Sequence, residues 1–177
     1  MSTIWLGDVL VRRSRIGHSV YVSVSPYIRR IRASVGSDLL LLPSVTVLPT
    51  DADGRLLLVR ARGSGEWMTI GGMVEPDEDP AAAAIREAQE EAGVTVELDA
   101  IVGALGGPQF RLRYPNGDQT AYVAIVYAAR VVAGIPQPDG DETDRTDWFS
   151  PSELLTAPLT AFAMAQFEAL GMIASDA

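Results

Sequence analysis

The chain has 177 residues, a formal net charge of −9 and no cysteine. This length suits one domain with a substantial core. The acidic balance argues against a nucleic-acid binder, and the lack of cysteine excludes disulfides and thiol chemistry. No run of apolar residues is long enough to predict a membrane helix, and the first residues lack the order of a signal peptide. We therefore expect a cytoplasmic protein with neither nucleic-acid nor membrane partners.

Positive charge is concentrated in the first forty residues, which hold six arginines and two aspartates. Possible strands run over Ile4–Val11 and Ser19–Val24. Ser25 and Pro26 then predict a helix that continues through Val35 and stops at Gly36. Its apolar stripe is Tyr27, Ile28, Ile31 and Val35, with Arg29, Arg30 and Arg32 outside. We expect the stripe to pack on the chain's own sheet or on a second copy in a homodimer.

From Leu39 onward, strands alternate with helices and tight turns, which predicts an α/β fold with a mixed sheet. The predicted strands are Ser44–Leu48, Arg55–Ala61, Trp67–Ile70, Val94–Leu105, Gln109–Tyr114, Ala121–Val132 and Thr146–Phe149. Turns are predicted at 51–54 and 115–118, and an acidic loop at 138–144. A final amphipathic helix is predicted from Pro158 to Leu170, with its apolar residues in the core.

The helix predicted over 80–92 has both ends marked. Asp79 can cap its start, Pro80 suits the first helical position, and Gly93 suits the left-handed residue after its end. One face carries Glu87, Glu90 and Glu91, and the opposite face carries Ala81, Ala84, Ile85, Ala88 and Ala92. Three carboxylates on one face repel one another, and a hard divalent cation such as Mg²⁺ or Mn²⁺ would relieve that repulsion. The alternative is a solvated acidic face.

Two glycines precede this helix, after the apolar segment that ends at Ile70. Gly71 and Gly72 allow backbone to approach a ligand closely. The whole stretch resembles the Nudix box, G-x5-E-x7-R-E-U-x-E-E-x-G-U, in which U is aliphatic. Its fixed positions are filled by Gly72, Glu78, Arg86, Glu87, Ala88, Glu90, Glu91, Gly93 and Val94. The turn at 115–118, the Trp148-Phe149 strand and the helix before the first strand resemble one broad bacterial subgroup.

This resemblance implies a Nudix-type α/β/α sandwich with a mixed β-sheet over residues 39–177, after an N-terminal extension over 1–38. It implies a hydrolase that cleaves the pyrophosphate of a nucleoside diphosphate linked to another group, with Mg²⁺ or Mn²⁺ as cofactor. The implied metal ligands are Glu87, Glu90, Glu91 and the Gly71 carbonyl. Arg86 would orient the glutamates, and Glu78 would assist it. One departure is Ile70, where relatives commonly carry proline.

The general base is predicted in the acidic loop, because a carboxylate that binds a cation is a poor proton acceptor. Glu142 is the first candidate and Asp141, with its shorter side chain, is the second. The candidate substrate-binding residues are Arg60, Trp67, Gly72 and Tyr114, and Tyr122 could also stack on a base. A solvated loop and core aromatic residues are the alternatives. His18 lies outside the resemblance and is not expected to be catalytic.

Three other functions are alternatives to hydrolysis of a nucleoside diphosphate sugar or ADP-ribose. A pyrophosphohydrolase of damaged nucleoside triphosphates fits the same residues. A non-catalytic nucleotide sensor would be expected to lose box carboxylates, and none is lost. The isoprenoid isomerase branch uses cysteine, which this chain lacks.

Overall fold

A computed structural model describes residues 4–6, 9–13, 19–23 and 25–174. Four α-helices lie in this part of the chain: α1 (Pro26–Val35), α2 (Pro80–Ala92), α3 (Pro151–Leu154) and α4 (Ala161–Ala169). The first three strands are β1 (Ile4–Leu6), β2 (Val9–Arg13) and β3 (Ser19–Ser23). The other strands are β4 (Leu39–Thr50), β5 (Leu56–Ala61), β6 (Trp67–Met68), β7 (Thr95–Leu105), β8 (Arg111–Arg113), β9 (Gln119–Ala133) and β10 (Thr143–Phe149). None of the helices within the described ranges is long and apolar enough to cross a membrane.

The central sheet is mixed, as predicted. Its main path runs β10-β5-β4-β9-β7, with β6 paired to β5 and β8 paired to β9. The pairing of β4 with β9 is parallel over their whole shared length, and the other pairs in this sheet are antiparallel. Strands β1, β2 and β3 form a separate antiparallel sheet, which refines the prediction of two possible strands in residues 1–24.

Side-chain alternation along β4 divides the core into two layers. Val45 and Val47 point to one face and pack with the alanines of α2, whereas Leu48 points to the other face and packs with Phe167 of α4. Both faces of the central strands are therefore covered by helices, which explains their nearly continuous apolar sequence. This arrangement confirms the predicted α/β class.

Helix α2 has the predicted ends. The Asp79 side chain accepts a hydrogen bond from the Ala81 amide, and Gly93 adopts a left-handed φ of 66°. The prediction for its buried face was wrong at two positions. Ile85 is 40% exposed, and Glu91 is buried with 7% exposure. The buried stripe is centred on Ala84 and Ala88, so Glu91 is rotated toward the sheet and Ile85 away from it.

Several predicted boundaries differ from the structure because of non-local contacts. Strand β4 extends well beyond 44–48 because it pairs along its length with β9. Strand β6 ends at Met68. The first half of the segment 109–114 is a 3₁₀ turn over Pro108–Phe110 that buries Phe110. Residues 158–160 bond the backbone of Trp67, so helix α4 begins only after its Thr160 cap.

Helix α1 forms where predicted, but its faces differ from the prediction. Ile28 is buried, whereas Tyr27 and Val35 are each 39% exposed. Arg32 does not point outward: its guanidinium donates to the carbonyl oxygens of Asp38 (2.5 Å) and Gln119 (2.7 Å). The Ser25 hydroxyl donates to Glu75 Oε2 at 2.8 Å, which ties the start of the helix to the loop before α2. These bonds place α1 beside the cleft described below.

Candidate active site

The loop before α2 is held against strand β4. The Val45 amide donates to the Gly72 carbonyl at 2.9 Å, and the Val47 amide donates to the Ile70 carbonyl at 2.8 Å. Gly71, between them, has a φ of 152°, and a Cβ atom there would lie 2.2 Å from the Val45 carbonyl oxygen. Only glycine fits this position without moving backbone. The same bonds fix the direction of the Gly71 amide.

Glu91 is the buried carboxylate of the site. The Gly71 amide donates to its Oε2 at 3.0 Å, and no second hydrogen-bond donor reaches this carboxylate from residues 25–174. Burial raises its pKa well above the usual value. The Gly71 hydrogen bond opposes that shift, and the charges of Glu87, Glu142 and Asp139 add to it. A buried carboxylate with one donor and like charges around it is in an environment that a cation would stabilise.

Arg86 holds the remaining box carboxylates. It binds Glu78 through two parallel hydrogen bonds of 2.8 and 3.0 Å, and its Nη2 also donates to the Met73 carbonyl at 3.2 Å. Its Nη1 donates to Glu87 Oε1 at 2.7 Å and to Glu90 Oε2 at 3.2 Å. The hydrogen bonds from Arg86 lower the pKa of Glu78, whereas burial raises the pKa of Glu87. Arg86 therefore joins the loop to the acidic face of α2.

The donor set fits a hard divalent cation, because it offers carboxylate oxygens and no nitrogen or sulfur. In the part of the chain that the structure describes, no three acidic side chains converge closely enough to hold an ion as they stand. Glu87 and Glu90 instead accept hydrogen bonds from Arg86. An ion bound by all three glutamates would therefore require a change of rotamer in this group. Glu87, Glu90 and Glu91 are thus the residues that would hold a cation.

The acidic loop is organised by Asp139, which sequence reasoning missed. Its Oδ1 accepts from the amides of Asp141 (2.9 Å), Glu142 (3.1 Å) and Thr143 (2.9 Å). The fully buried Thr143 hydroxyl lies 3.3 Å from the Glu91 carbonyl oxygen, so the loop is fixed to the end of α2. Asp141 and Glu142 both line the cleft, and the Glu142 charge is close enough to raise the pKa of Glu91. The loop therefore brings a fourth carboxylate beside the box.

These groups lie in a cleft of about 1700 Å³, whose lining includes an aromatic wall formed by Tyr114, Tyr122 and Phe162. The Tyr114 and Tyr122 hydroxyls are 2.9 Å apart. Phe162 of α4 contacts the Tyr122 ring edge-on, with 5.9 Å between ring centroids. Burial raises the pKa of Tyr122, so this hydroxyl stays neutral at physiological pH. The cleft thus combines an acidic end with an aromatic wall.

Two predicted substrate-binding residues are not brought to this cleft. Trp67 is 7% exposed and packs edge-on against Phe149 in the core, with centroids 4.8 Å apart. Arg60 lies over the Trp67 ring and binds Asp144 through a 2.7 Å ion pair. Neither residue lines the cleft, because Trp67 points into the core that contains Leu159 and Phe167, and Arg60 lies over its ring. Gly72 and Tyr114 do line the cleft, and His18 lies outside the described residues.

Helix α1 supplies a wall of the cleft, and none of its residues was among the predicted site residues. Arg29 and Arg32 line it, and Arg32 forms an ion pair with Asp118 at 3.6 Å in the turn between β8 and β9. Asn116 of the same turn also lines the cleft. The excess of arginine in the first forty residues was the available signal. The structure turns part of that charge toward the cleft.

A glycine loop fixed to a mixed sheet, followed by a helix with clustered carboxylates, defines a hydrolase that acts on pyrophosphate bonds. The chain belongs to the Nudix family, whose NUDIX domain matches residues 40–170. Hydrolases of this family generally use divalent metal ions. A MutT-like protein of Streptomyces ambofaciens is 30% identical over 127 residues, which are 72% of this chain and 75% of that protein.

Two further comparisons bear on the substrate. A putative 8-oxo-dGTP diphosphatase of Bacillus subtilis (strain 168) is 30% identical over 108 residues, 61% of this chain and 66% of the relative. The structure of an ADP-ribose pyrophosphatase from Streptococcus suis 89-1591 matches with a TM-score of 0.58 and 26% identity. That match covers 77% of this chain and 92% of the other. The relatives thus differ in the nucleotide that they are named for.

Proposed function

We propose that this chain is a Mg²⁺- or Mn²⁺-dependent hydrolase of a nucleoside diphosphate linked to another moiety, of the nucleoside diphosphate sugar or ADP-ribose type. The observation that carries the proposal is the buried Glu91 carboxylate at the acidic end of a wide cleft. Within residues 25–174 it has one hydrogen-bond donor, and the charges of Glu87 and Glu142 raise its pKa. A pyrophosphate needs cations to approach such a cluster. The aromatic wall is suited to a nucleoside.

In this mechanism Glu87, Glu90 and Glu91 would hold the cations, and the Gly71 carbonyl is proposed as a further ligand. The bound ions would supply the positive charge that neutralises the pyrophosphate and lowers the pKa of water. Arg86 positions Glu87 and Glu90, and Glu78 fixes Arg86 in turn. Gly72 leaves room for the Glu87 carboxylate, which a Cβ atom at this position would meet, and it is proposed to let substrate approach the backbone.

Glu142 is proposed as the general base that accepts the proton of the attacking water. It lies outside the Arg86 network and beside the buried Glu91. Tyr114, Tyr122 and Phe162 would contact the nucleoside. For Trp67 and Arg60 the contacts favour a structural role, because both lie away from the cleft.

The test is hydrolysis of a nucleotide panel with Mg²⁺, with Mn²⁺ and with excess chelator. The panel should contain ADP-ribose, nucleoside diphosphate sugars, and ordinary and oxidised deoxynucleoside triphosphates. We expect turnover of a diphosphate-linked substrate with metal and none with chelator. Full activity in chelator, or none on any compound with metal, would refute the proposal.

The second candidate is a nucleoside triphosphate pyrophosphohydrolase that sanitises the nucleotide pool. The relative named as a putative 8-oxo-dGTP diphosphatase favours it. The same panel separates the two, because this candidate predicts release of pyrophosphate and a nucleoside monophosphate from triphosphates. A nucleotide sensor without catalysis is disfavoured, because every box carboxylate is present.

We further propose that the protein forms a homodimer, through residues near the start of β4. Tyr27, Val35, Leu39 and Leu41 are exposed large apolar side chains in this region, and Leu41 is 70% exposed. Sedimentation should show a dimer for the unmodified protein and a monomer for Leu41→Glu. A monomer in both cases would contradict this interface.

A further inference from the structure

The floor of the cleft contains a buried polar relay that the catalytic residues do not use. The Thr69 hydroxyl donates to Gln166 Oε1, and Gln166 Nε2 donates to the Thr46 hydroxyl, both at 2.6 Å. Gln166 is fully buried, and Thr46 and Thr69 are 3% and 7% exposed. Both threonines nevertheless line the cleft. Such buried polar groups need a reason, because an apolar core would avoid their desolvation cost.

The relay occupies the face of β4 that otherwise packs on α4. Leu48, two residues from Thr46, belongs to the core on this face, and so does Trp67, two residues from Thr69. Thr46 and Thr69 therefore lie at the boundary between this part of the core and the cleft. Gln166 lies one helical turn after Phe162, which belongs to the aromatic wall. The two hydroxyls thus lie at the foot of the proposed nucleoside-binding wall.

One amide makes the hydrogen-bonding roles of the two hydroxyls opposite. An amide has one donor end and one acceptor end, so one threonine must donate to it and the other must accept from it. The Thr46 hydroxyl, which accepts, has its own hydrogen left, and no acceptor for that hydrogen lies within residues 25–174. Thr69, which donates, has oxygen lone pairs left. The pair therefore offers the cleft one donor and one acceptor.

We propose that Thr46 and Thr69, positioned by Gln166, bind the hydrogen-bonding edge of the substrate's nucleobase. This inference rests on the proposed nucleotide hydrolase function and extends it to base selection. Adenine presents the N6 amino donor beside the N1 acceptor, and guanine presents the O6 acceptor beside the N1 donor. Because both partners of Gln166 are hydroxyls, its amide can turn by 180° and exchange their roles. The relay therefore matches either purine.

Binding of AMP and GMP tests this inference without turnover. Calorimetric titration in the presence of Mg²⁺ is expected to give affinities within about tenfold of one another. Thr46→Val and Thr69→Val keep the branched shape and remove one hydroxyl each, so each should weaken both nucleotides about tenfold, the scale of one lost hydrogen bond. Ribose 5-phosphate, which lacks a base, should bind all variants equally. Thr46→Ser should restore nucleotide binding, because it restores the hydroxyl.

Thr50→Val is the matched control, since Thr50 lies on the same strand and its hydroxyl bonds the Ala129 carbonyl, away from the cleft. It should leave nucleotide binding unchanged. Thermal unfolding of every variant reports on folding, so a purely structural relay would lower stability without changing the ratio of nucleotide to ribose 5-phosphate affinity. That result would overturn the inference, as would an equal loss for ribose 5-phosphate. Failure of hydrolysis on the nucleotide panel would instead refute the proposed function, because AMP and GMP binding does not require turnover.

Discussion

The Gly71 amide donates a 3.0 Å hydrogen bond to Glu91 Oε2, and this bond joins the glycine loop to the acidic helix. The loop is pinned by β4 on one side, so the amide is directed before any ligand binds. The helix is capped at both ends, so the backbone position of Glu91 is fixed as well. The buried carboxylate is thus fixed by two elements that are twenty residues apart in the chain.

Gly71→Ala is expected to abolish activity and to destabilise the fold by more than about 2 kcal/mol. Its Cβ would overlap the Val45 carbonyl, and alanine would also be strained at this φ. Gly54→Ala is the control, because Gly54 has a φ of 75° in a turn where a Cβ would meet nothing within 4 Å. It should cost only about 1 kcal/mol. Denaturant unfolding and turnover measure both effects. Equal losses for the two variants would mean that backbone strain alone, without the clash, sets the cost.

Glu91→Gln should lower kcat at least about 10²-fold while the protein folds normally, and Glu90→Gln should do the same. Burial raises the pKa of Glu91 in the folded state, so the folded protein binds a proton more tightly than the unfolded chain. The stability contributed by that proton is present below the unfolded pKa and is lost as pH rises through the folded value. The metal-free protein should therefore lose stability above about pH 4.5, the ordinary glutamate value.

The measurement is thermal unfolding in chelator as a function of pH, for the unmodified protein and for Glu91→Gln. The variant should be the more stable of the two at neutral pH, and the difference should vanish at acid pH. Excess Mg²⁺ should stabilise the unmodified protein at neutral pH and have little effect on the variant. A variant that is less stable than the unmodified protein at every pH would show that the carboxylate is structural.

The sequence predicted α2 and its two ends because the relevant signals are local. Caps, helix formers and the spacing of Glu87, Glu90 and Glu91 all lie within a few turns of one another. Periodicity grouped the three glutamates but could not show that Glu91 alone is buried. That difference depends on the Gly71 amide, which belongs to a loop held by β4. The sequence therefore predicted that the three glutamates share the helix but not their different environments.

Other features depended on contacts between distant parts of the chain. Thr69 and Gln166 are 97 residues apart, and no local pattern marks either as a partner. Trp67 looked like a candidate for base stacking, but its pairing with residues 158–160 buries it in the core. Asp139 is different, because aspartate before Gly140 and a run of polar residues is a local turn signal. It could have been identified from the sequence as the organiser of the acidic loop.

Arg32→Met tests whether α1 supports the cleft. Loss of the bonds to Asp38, Gln119 and Asp118 should free the turn between β8 and β9, raise KM about tenfold and lower Tm by roughly 4–8 °C. Arg30→Met is the matched control on the same helix, because Arg30 is exposed and lies over the Tyr27 ring. It should change neither quantity. Unchanged KM in Arg32→Met would show that the helix does not shape the cleft.

Glu142→Gln tests the assignment of the general base. Glu142 lines the cleft, and its charge is close enough to Glu91 to raise the pKa of that carboxyl, so it lies near the water that the cluster would hold. The variant should lower kcat at least about 10²-fold, remove the acidic limb of the pH–rate profile and leave metal affinity nearly unchanged. Asp141→Asn is the matched control, since Asp141 lies in the same loop, lines the same cleft and has the shorter side chain.

The control should keep most of its activity and the acidic limb, because the Asp139 bonds that hold the loop are to backbone amides and survive both substitutions. Isothermal titration with Mn²⁺ separates the two possible causes of a lower rate, since loss of a metal ligand would weaken metal binding and loss of a base would not. If Glu142→Gln kept near-normal kcat with the acidic limb intact, while Asp141→Asn lost both, the base would be Asp141. If both variants kept near-normal kcat and the acidic limb, the proton acceptor would be a box carboxylate, or the attacking group would be hydroxide already formed at the metal.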